Sequence, residues 1–366
     1  MGGSALSVPT RRYAASEFHA LETRLIEEWG KSWGADVRGI PAYRTKPDFG
    51  DLDLLVEEEA IAALGGPAFL RDWVQTHAFC RDVYCEKNSP VFSFDYRESE
   101  DQEAGFQVDL ILTPRSEMGV AQAYFSYNDL GNLIGRVAHR MGFSHGHRGL
   151  LYPVREGTHF VKNVLVSQNL DDILPFLGYA TDRFREGFDK LEDIFRYTVS
   201  SPYFNTDIFL LENRNHTART RDRKRPTYRK FLEWVQTQTN LPTYPWCAHD
   251  DEAGRAQEKA MFLSLAKQQF PQLASDIEAA WEEVRQRQKI RAKSGGRERV
   301  RQIAQWIGLD GKDLAQFMAS FQQHHLGGEH VAAWMAEREE AVIRAEMLKH
   351  REVFKVQPSV RGPRVR

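Results

Sequence analysis

The stretch GDLDLLV at residues 50–56 places two acidic side chains at the start of an apolar run. Such a run predicts a β-strand, and because side chains alternate along a strand, Asp51 and Asp53 would project from one face. Neighbouring carboxylates disfavour each other's ionised form unless a cation lies between them. The stretch therefore predicts a strand whose acidic face binds a divalent metal ion. An isolated Asp-x-Asp has a second interpretation, as a turn or cap at the end of a strand.

A third aspartate interrupts the apolar run FQVDLILTP at residues 106–114. A carboxylate on a buried strand needs a compensating partner, so Asp109 is expected to have one. If the two strands are neighbours in one sheet, Asp51, Asp53 and Asp109 converge. Hard oxygen ligands suit Mg²⁺ or Mn²⁺, and two such ions can activate a hydroxyl and neutralise a triphosphate. Two ions of this kind are the expected cofactor.

The fold class follows from a change of pattern along the chain. The first half mixes helix-like segments such as SEFHALETRLIEEWGKSW (residues 16–33) with strand-like segments such as VFSFDYRE (residues 91–98). That mixture predicts an α/β (α+β) domain, whereas the second half is almost entirely helical. A chain of 366 residues is long enough for two domains. We predict a catalytic core over residues 1–180, a helical nucleic-acid-binding domain over residues 181–356, and a disordered tail over residues 357–366.

Composition excludes several classes of protein. Hydrophobic residues make up 42% of the chain, and no apolar run approaches the length of about 20 residues that spans a bilayer. We therefore expect no membrane association. The first residues contain no apolar segment typical of a secretory signal, which makes a cytoplasmic location the expectation. Cys80, Cys85 and Cys247 are odd in number and lack CxxC spacing, which favours free thiols over disulfides or a zinc site.

Cations precede the acidic pair in the segment GIPAYRTKPDFG at residues 39–50. It contains Arg44 and Lys46 and follows directly on Arg38, while Gly50 permits close approach of the backbone. Cations beside a carboxylate–metal site are what a triphosphate requires. The alternative for these residues is a solvated loop.

These segments resemble a known family, the family X DNA polymerases of the DNA polymerase beta superfamily. YRTKPDFGDLDLLV (residues 43–56) is similar to the family's arginine-containing loop followed by Gly-Asp-hydrophobic-Asp, and residues 106–114 resemble its third-aspartate strand. AYFSYNDLGNLIGRVAHRMGF (residues 123–143) is similar to the segment that enters its nucleotide-selecting subdomain. SQNLDDILPFLGY (residues 167–179) resembles its last, acidic helix. The similarity covers about residues 36–180, the palm- and thumb-like part of the family's nucleotidyltransferase core.

The resemblance implies roles for individual residues. Asp51 and Asp53 would hold both metal ions, and Asp109 would hold the ion that activates the hydroxyl and could take up its proton. Tyr124 and Phe125 would contact the sugar. The resemblance and the cationic turn before the acidic pair together imply a set of nucleotide-binding residues. They are Arg38, Gly39, Arg44, Lys46, Gly50, Tyr124, Phe125, Asn132 and Arg136.

One helix face is expected to meet a base pair. Asn132 and Arg136 are four residues apart and would share a helix face, with Gly131 and Gly135 keeping the neighbouring surface low enough for a duplex to approach. The alternative is the polar face of an ordinary amphipathic helix. The chain also departs from the family next to this helix, because Tyr127 and Asn128 replace the Gly-Ser that follows the aromatic pair.

Two basic clusters lie in the second half. Residues 219–230 contain seven Lys or Arg against one acid, and residues 285–301 contain eight against one. Solvated helix faces usually balance their charges, so one-signed clusters favour phosphate contact, although a solvated face is the alternative. The residues predicted to contact nucleic acid are Arg221, Arg223, Lys224, Arg225, Arg291 and Lys293.

Together these features predict a nucleotidyltransferase that adds nucleoside monophosphates from an NTP or dNTP to the 3′-hydroxyl of a DNA or RNA acceptor. A template-independent RNA or tRNA terminal nucleotidyltransferase is the first alternative, because RQIAQWIGLDGKDLAQFMASF (residues 301–321) faintly resembles a helical motif of such enzymes. A non-catalytic binding protein and transfer to a small-molecule or protein hydroxyl are the others.

Overall fold

The computed structural model describes residues 5–86, 89–157 and 159–355. The chain forms two compact units, of which the first ends at Ala274 and the second begins at Ser275. The domain boundary expected near residue 180 falls inside the first unit, because helices that follow it pack against the α/β part. The tail predicted to be disordered, residues 357–366, lies outside the described residues.

The described residues of the first unit form three sheets. A two-stranded sheet pairs β1 with β3, a five-stranded sheet has the order β2-β4-β7-β6-β5, and a three-stranded sheet has the order β10-β9-β8. In the five-stranded sheet β4 and β7 run parallel, whereas the other neighbours are antiparallel. The strands are β1 (Tyr13–Ala14), β2 (Val37–Gly39), β3 (Asp48–Phe49), β4 (Asp51–Glu57), β5 (Val83–Tyr84), β6 (Val91–Tyr96), β7 (Phe106–Thr113), β8 (Ser144–Gly146), β9 (Gly149–Glu156) and β10 (His159–Ser167).

The strand predicted at residues 50–56 is confirmed as β4, and its side chains alternate between two environments. Leu52, Leu54 and Val56 are fully buried in the main apolar core. Leu55, on the face that also carries the two aspartates, packs instead against Met118. The apolar side chains therefore hold β4 on both faces, while Asp51 and Asp53 stay half-buried at its start.

Helices fill the rest of both units. A π-helical turn, Leu25–Trp29, connects the first two helices, and a second, Phe321–His325, follows the fifteenth. The helices are α1 (Ala15–Arg24), α2 (Gly30–Trp33), α3 (Glu58–Leu64), α4 (Pro67–His77), α5 (Met118–Phe125), α6 (Leu130–Met141), α7 (Leu170–Phe176), α8 (Thr181–Glu186), α9 (Leu191–Val199), α10 (His216–Arg223), α11 (Pro226–Gln236), α12 (Glu252–Gln269), α13 (Gln272–Lys293), α14 (Gly296–Ile307), α15 (Gly311–Ser320), α16 (Val331–Ala336) and α17 (Glu340–Val353).

Helix α6 is central to the first unit. Leu130, Leu133, Ile134 and Val137 recur at helical spacing and are fully buried, and the helix ends at Gly142, whose φ of 98° suits glycine. The helix packs against α5, α9 and α12. These contacts join the helices after residue 180 to the part of the chain that carries the sheet.

The second unit has its own apolar core. Buried side chains from α14 to α17 and from the π-helical turn after α15 form it, including Ile303, Phe317, Phe321, Trp334 and Met347. The helical character predicted for this part of the chain is confirmed, and the chain as a whole is of mixed α/β class. Among the described helices, none combines the length and apolar character needed to cross a membrane.

Candidate active site

Three carboxylates meet on the parallel strands β4 and β7. The register places Asp53 opposite Asp109. One carboxylate oxygen from each of Asp51, Asp53 and Asp109 lies within 4.8 Å of the others. The two acidic strands are thus neighbours, as the convergence of the three aspartates requires. Hard oxygen ligands at this spacing can hold a divalent metal ion.

The carboxylates also disfavour one another's ionised forms. The pKa of Asp53 is raised to about 8, first by burial and then by the negative charges of Asp51 and Asp109, while the charge of Lys46 opposes the shift. Burial likewise raises the pKa of Asp109. A bound cation would relieve this repulsion, so the electrostatics as well as the geometry suit a metal site.

Asp109 is held in place by two neighbours that sequence reasoning missed. The side-chain amide of Gln107 donates to both carboxylate oxygens, at 3.1 and 2.9 Å. Ser93, opposite Asp109 on β6, donates a further hydrogen bond that favours the ionised form and opposes the rise in pKa. Gln107 could have been found from the sequence, because it precedes Asp109 by two residues on the same strand. The pairing with Ser93 depends on the strand order of the sheet.

The acidic face opens into a cleft of about 520 Å³, the central cleft. Asp51 and Asp53 line it together with residues before β3, the end of α5 and the start of α11. A polyanion such as a triphosphate needs cations beside the metal ligands. The cations that line the central cleft are Arg12, Lys46, Lys224, Arg225 and Lys230.

Lys46 lies beside the acidic pair, where the sequence predicted it. Its amino group is 4.2 Å from the centre of the Phe49 ring. Burial lowers the pKa of Lys46, and the charges of Asp51 and Asp53 partly restore it. Gly50 is buried and lines the same cleft. These two predicted nucleotide-binding residues thus share a cleft with the acidic pair.

Two other residues that were predicted to bind phosphate, Arg38 and Arg44, bond to carboxylates outside the acidic site. Arg44 donates to Asp189 at 2.6 Å and is exposed. Arg38, on β2, donates to the carboxylate of Asp36 through Nε at 2.9 Å. Neither arginine is among the residues that line the central cleft. Nearer carboxylates thus bind both guanidinium groups here, and the assignment of the two arginines to the triphosphate stays a prediction.

Two glycines serve packing. A Cβ on Gly39 would collide with the carboxylate of Glu22, and one on Gly131 would collide with the backbone oxygen of Tyr124. Gly39 also accepts a hydrogen bond from a side chain on α5 through its own carbonyl. Gly131 therefore lets α5 approach α6, and does not leave a surface open to a duplex as the sequence suggested.

The aromatic pair is divided between two cavities. Phe125 lines the central cleft, whereas Tyr124 lines a second cavity of about 260 Å³. The chain then turns at Tyr127 and Asn128, whose φ angles of 59° and 63° are both left-handed. Glycine adopts this conformation most readily, so the backbone of this turn is one that glycine would also accept.

The predicted base-reading face of α6 is covered by the chain itself. Asn132 and Arg136 share one face, and both line the second cavity. The guanidinium of Arg136 donates to the backbone oxygen of Ile208 at 2.8 and 3.1 Å. Asn132 accepts from Arg221 at 3.4 Å. Both side chains therefore bond to residues of the same chain here, and their contact with a base pair stays a prediction.

No protein-family model matches the chain, and no curated protein matches it. The resemblance to family X DNA polymerases therefore rests on the motif residues of the sequence.

The residues of the first basic cluster, on and after α10, lie in different places. Lys224 and Arg225 line the central cleft, and Arg225 donates to Asp129 at 2.6 Å. Arg221 lines the second cavity, and Arg223 is exposed. Arg291 and Lys293 are exposed in the last turn of α13, in the second unit.

Two cations of the central cleft were missed. Lys230 belongs to the first basic cluster, and its position on α11, one turn beyond Pro226, could have suggested it. Arg12 comes from the N-terminal segment and pairs with Asp48. Nothing in the sequence indicates that this segment reaches the acidic site, because its place depends on the pairing of β1 with β3.

Proposed function

We propose that the chain is a metal-dependent nucleotidyltransferase of the DNA polymerase beta superfamily, similar to the palm and thumb of family X DNA polymerases. It transfers a nucleoside monophosphate from an NTP or dNTP to the 3′-hydroxyl of a nucleic acid and releases pyrophosphate. One observation carries the proposal: three carboxylates converge, and two of them, Asp51 and Asp53, line a cleft that five cations also line.

In this proposal the acidic residues would bind the metal ions, and the basic residues would bind the triphosphate. Asp51 and Asp53 would hold two Mg²⁺ or Mn²⁺ ions, and Asp109 would hold one of them. When bound, the ions supply Lewis-acid stabilisation of the reacting phosphate and of the attacking hydroxyl. Lys46 and Arg225 bring positive charge to the same cleft and would orient the triphosphate. Asp109, held by Gln107, can take up the proton of the hydroxyl.

A template-independent enzyme is the second candidate, and one observation favours it. Asn132 and Arg136, which would contact the nascent base pair in a templated enzyme, bond within the protein to Arg221 and Ile208. A face closed in this way supports addition without a template.

The test is nucleotide incorporation by the purified protein. Labelled dNTPs and NTPs are incubated with single-stranded, primed and tailed DNA and RNA, with Mg²⁺ or with EDTA. We expect incorporation that needs the metal and that Asp51→Ala and Asp109→Ala each abolish, while the melting temperature changes little. Full activity in EDTA, or in either variant, would contradict the assignment. Equal extension on primed and single-stranded acceptors would select the template-independent candidate.

A further inference from the structure

Two cavities of the first unit lie in series along α6. The second cavity and a third of about 280 Å³ share Arg136, His139 and Asn215 among their lining residues. Asn132 lies on the side of the second cavity, and Arg140, one turn beyond Arg136, lines only the third. The two cavities thus adjoin at these three residues, and together they are called the trough.

The trough is positively charged. Asp207 is the acid among its lining residues, and the nearby acids Asp222 and Glu258 pair with arginines of the trough. Five arginines against these three carboxylates leave an excess of positive charge, which attracts polyanions. The arginines are Arg136, Arg140, Arg214, Arg221 and Arg255.

Several donors of the trough lack an acceptor. Within the described residues, Asn132 Nδ2 and His145 Nδ1 of the second cavity are buried without a hydrogen-bond partner. The same holds for Nε of Arg140 and of Arg255 in the third cavity. A buried donor without an acceptor is costly, so a ligand rich in acceptor oxygens would satisfy the Asn132, Arg140 and Arg255 nitrogens once their side chains turn into the cavities.

Each cavity also has an aromatic side chain. Tyr124 lines the second cavity and Trp246 lines the third. Charged groups that alternate with rings suit a polynucleotide, whose phosphates pair with arginine and whose bases stack on aromatic faces. The two cavities measure about 260 and 280 Å³.

We propose that the trough binds a single-stranded polynucleotide, with phosphates on Arg221, Arg136 and Arg255 and bases against Tyr124 and Trp246. The strand would be the acceptor, so this inference rests on the proposed function and deepens it. Tyr124 of the trough and Phe125 of the central cleft are consecutive residues, and a strand held in the trough would have its end beside the carboxylates.

Fluorescence anisotropy of a labelled single-stranded oligonucleotide tests the trough in the full chain. Binding is measured in EDTA without nucleotide, so that it is independent of catalysis. We expect Arg221→Gln and Arg255→Gln each to weaken binding by at least about tenfold, as the loss of a charge-assisted hydrogen bond does. Each should also reduce the salt dependence by about 0.7 in log–log slope, the value for one phosphate contact on a single strand.

The control is Arg71→Gln, which removes one exposed arginine from α4. Arg255→Lys keeps the charge and should recover part of the affinity, which a purely structural role would not produce. Unchanged affinity in both trough variants, or an equal loss in Arg71→Gln, would overturn the proposal. Strand binding without nucleotide incorporation in the parent protein would reject the transfer reaction and leave the trough standing. Incorporation into single strands that the trough variants do not alter would reject the trough alone.

Discussion

Asp53 is an expected metal ligand, and its raised pKa also makes the stability of the folded chain depend on pH. It lies between two further carboxylates on a strand whose opposite face is fully buried, and its pKa is raised to about 8. The sequence was sufficient to predict this conflict, because alternation alone places Asp51 and Asp53 on one face. It was not sufficient to predict Ser93, whose contact with Asp109 depends on which strand lies beside β7.

The metal-free protein is expected to lose stability as the pH rises towards 8. In an unfolded chain the pKa of an aspartate is about 3.9, so the folded state, in which the pKa of Asp53 is about 8, holds its proton more tightly. That contribution to stability is complete below about pH 4 and is lost as the pH passes about 8. Thermal denaturation in EDTA, between about pH 6 and about pH 9, measures the loss.

Two variants distinguish the contribution of Asp53 to the pH dependence of stability from that of other titrating groups. Asp53→Asn should remove most of the pH dependence, because the amide does not titrate, whereas Asp182→Asn at an exposed position should retain it. Mg²⁺ should raise the melting temperature of the parent more at higher pH, since the ligands must be deprotonated to bind it. A parent protein whose melting temperature in EDTA does not fall over this range would contradict the assigned electrostatics.

At the scale of elements, the prediction from sequence succeeded where the pattern is local. β4, β7 and the apolar stripe of α6 all follow from residues close together in the chain. The surroundings of α6 could not be predicted, because Arg136 bonds to Ile208, far along the chain. Gly131 illustrates the same limit, since only the fold reveals that α5 lies against it.

Neighbouring cations of the first basic cluster line different cavities, so their substitution should affect the binding of different ligands. Lys224→Gln removes a cation of the central cleft and should weaken binding of Mg²⁺–NTP by about threefold to tenfold, as the loss of one charge-assisted contact does. Arg221→Gln should leave nucleotide binding unchanged, because Arg221 lines the second cavity. Isothermal titration with a non-hydrolysable NTP analogue measures both. Arg223→Gln, exposed on α10, is the matched control, and equal losses in all three variants would show that only net charge matters.

At the scale of the whole molecule, the change of sequence pattern near residue 180 marks a change of secondary structure but not the end of a unit. Helices α9 and α12 pack against α6, and the rings of Phe176 and Phe270 are 5.6 Å apart. Periodicity reports which faces are apolar but not what covers them. For this reason the helical pattern could be predicted from the sequence, whereas the sequence does not reveal which helices pack with the sheet.

Truncation tests this organisation. A chain of residues 1–185 should fail to fold cooperatively, because it uncovers α6 and leaves Arg140, which is 11% exposed, without Glu258, its partner at 2.8 Å. A chain ending at Ala274 retains the first unit and should keep both a cooperative melting transition and its stabilisation by Mg²⁺. Circular dichroism during heating, with Mg²⁺ or EDTA, measures both properties.

The same pair of chains locates the nucleic-acid contacts. The chain ending at Ala274 loses the second basic cluster, residues 285–301, but keeps the central cleft and the trough. If that cluster contacts phosphates, its loss should weaken strand binding and reduce the slope of log affinity against log salt concentration. Binding of Mg²⁺–NTP should stay unchanged. Unchanged strand affinity would assign acceptor binding to the first unit alone. A cooperative, Mg²⁺-responsive transition in the chain of residues 1–185 would instead place the boundary near residue 180, because it would show that α6 does not need the helices that follow.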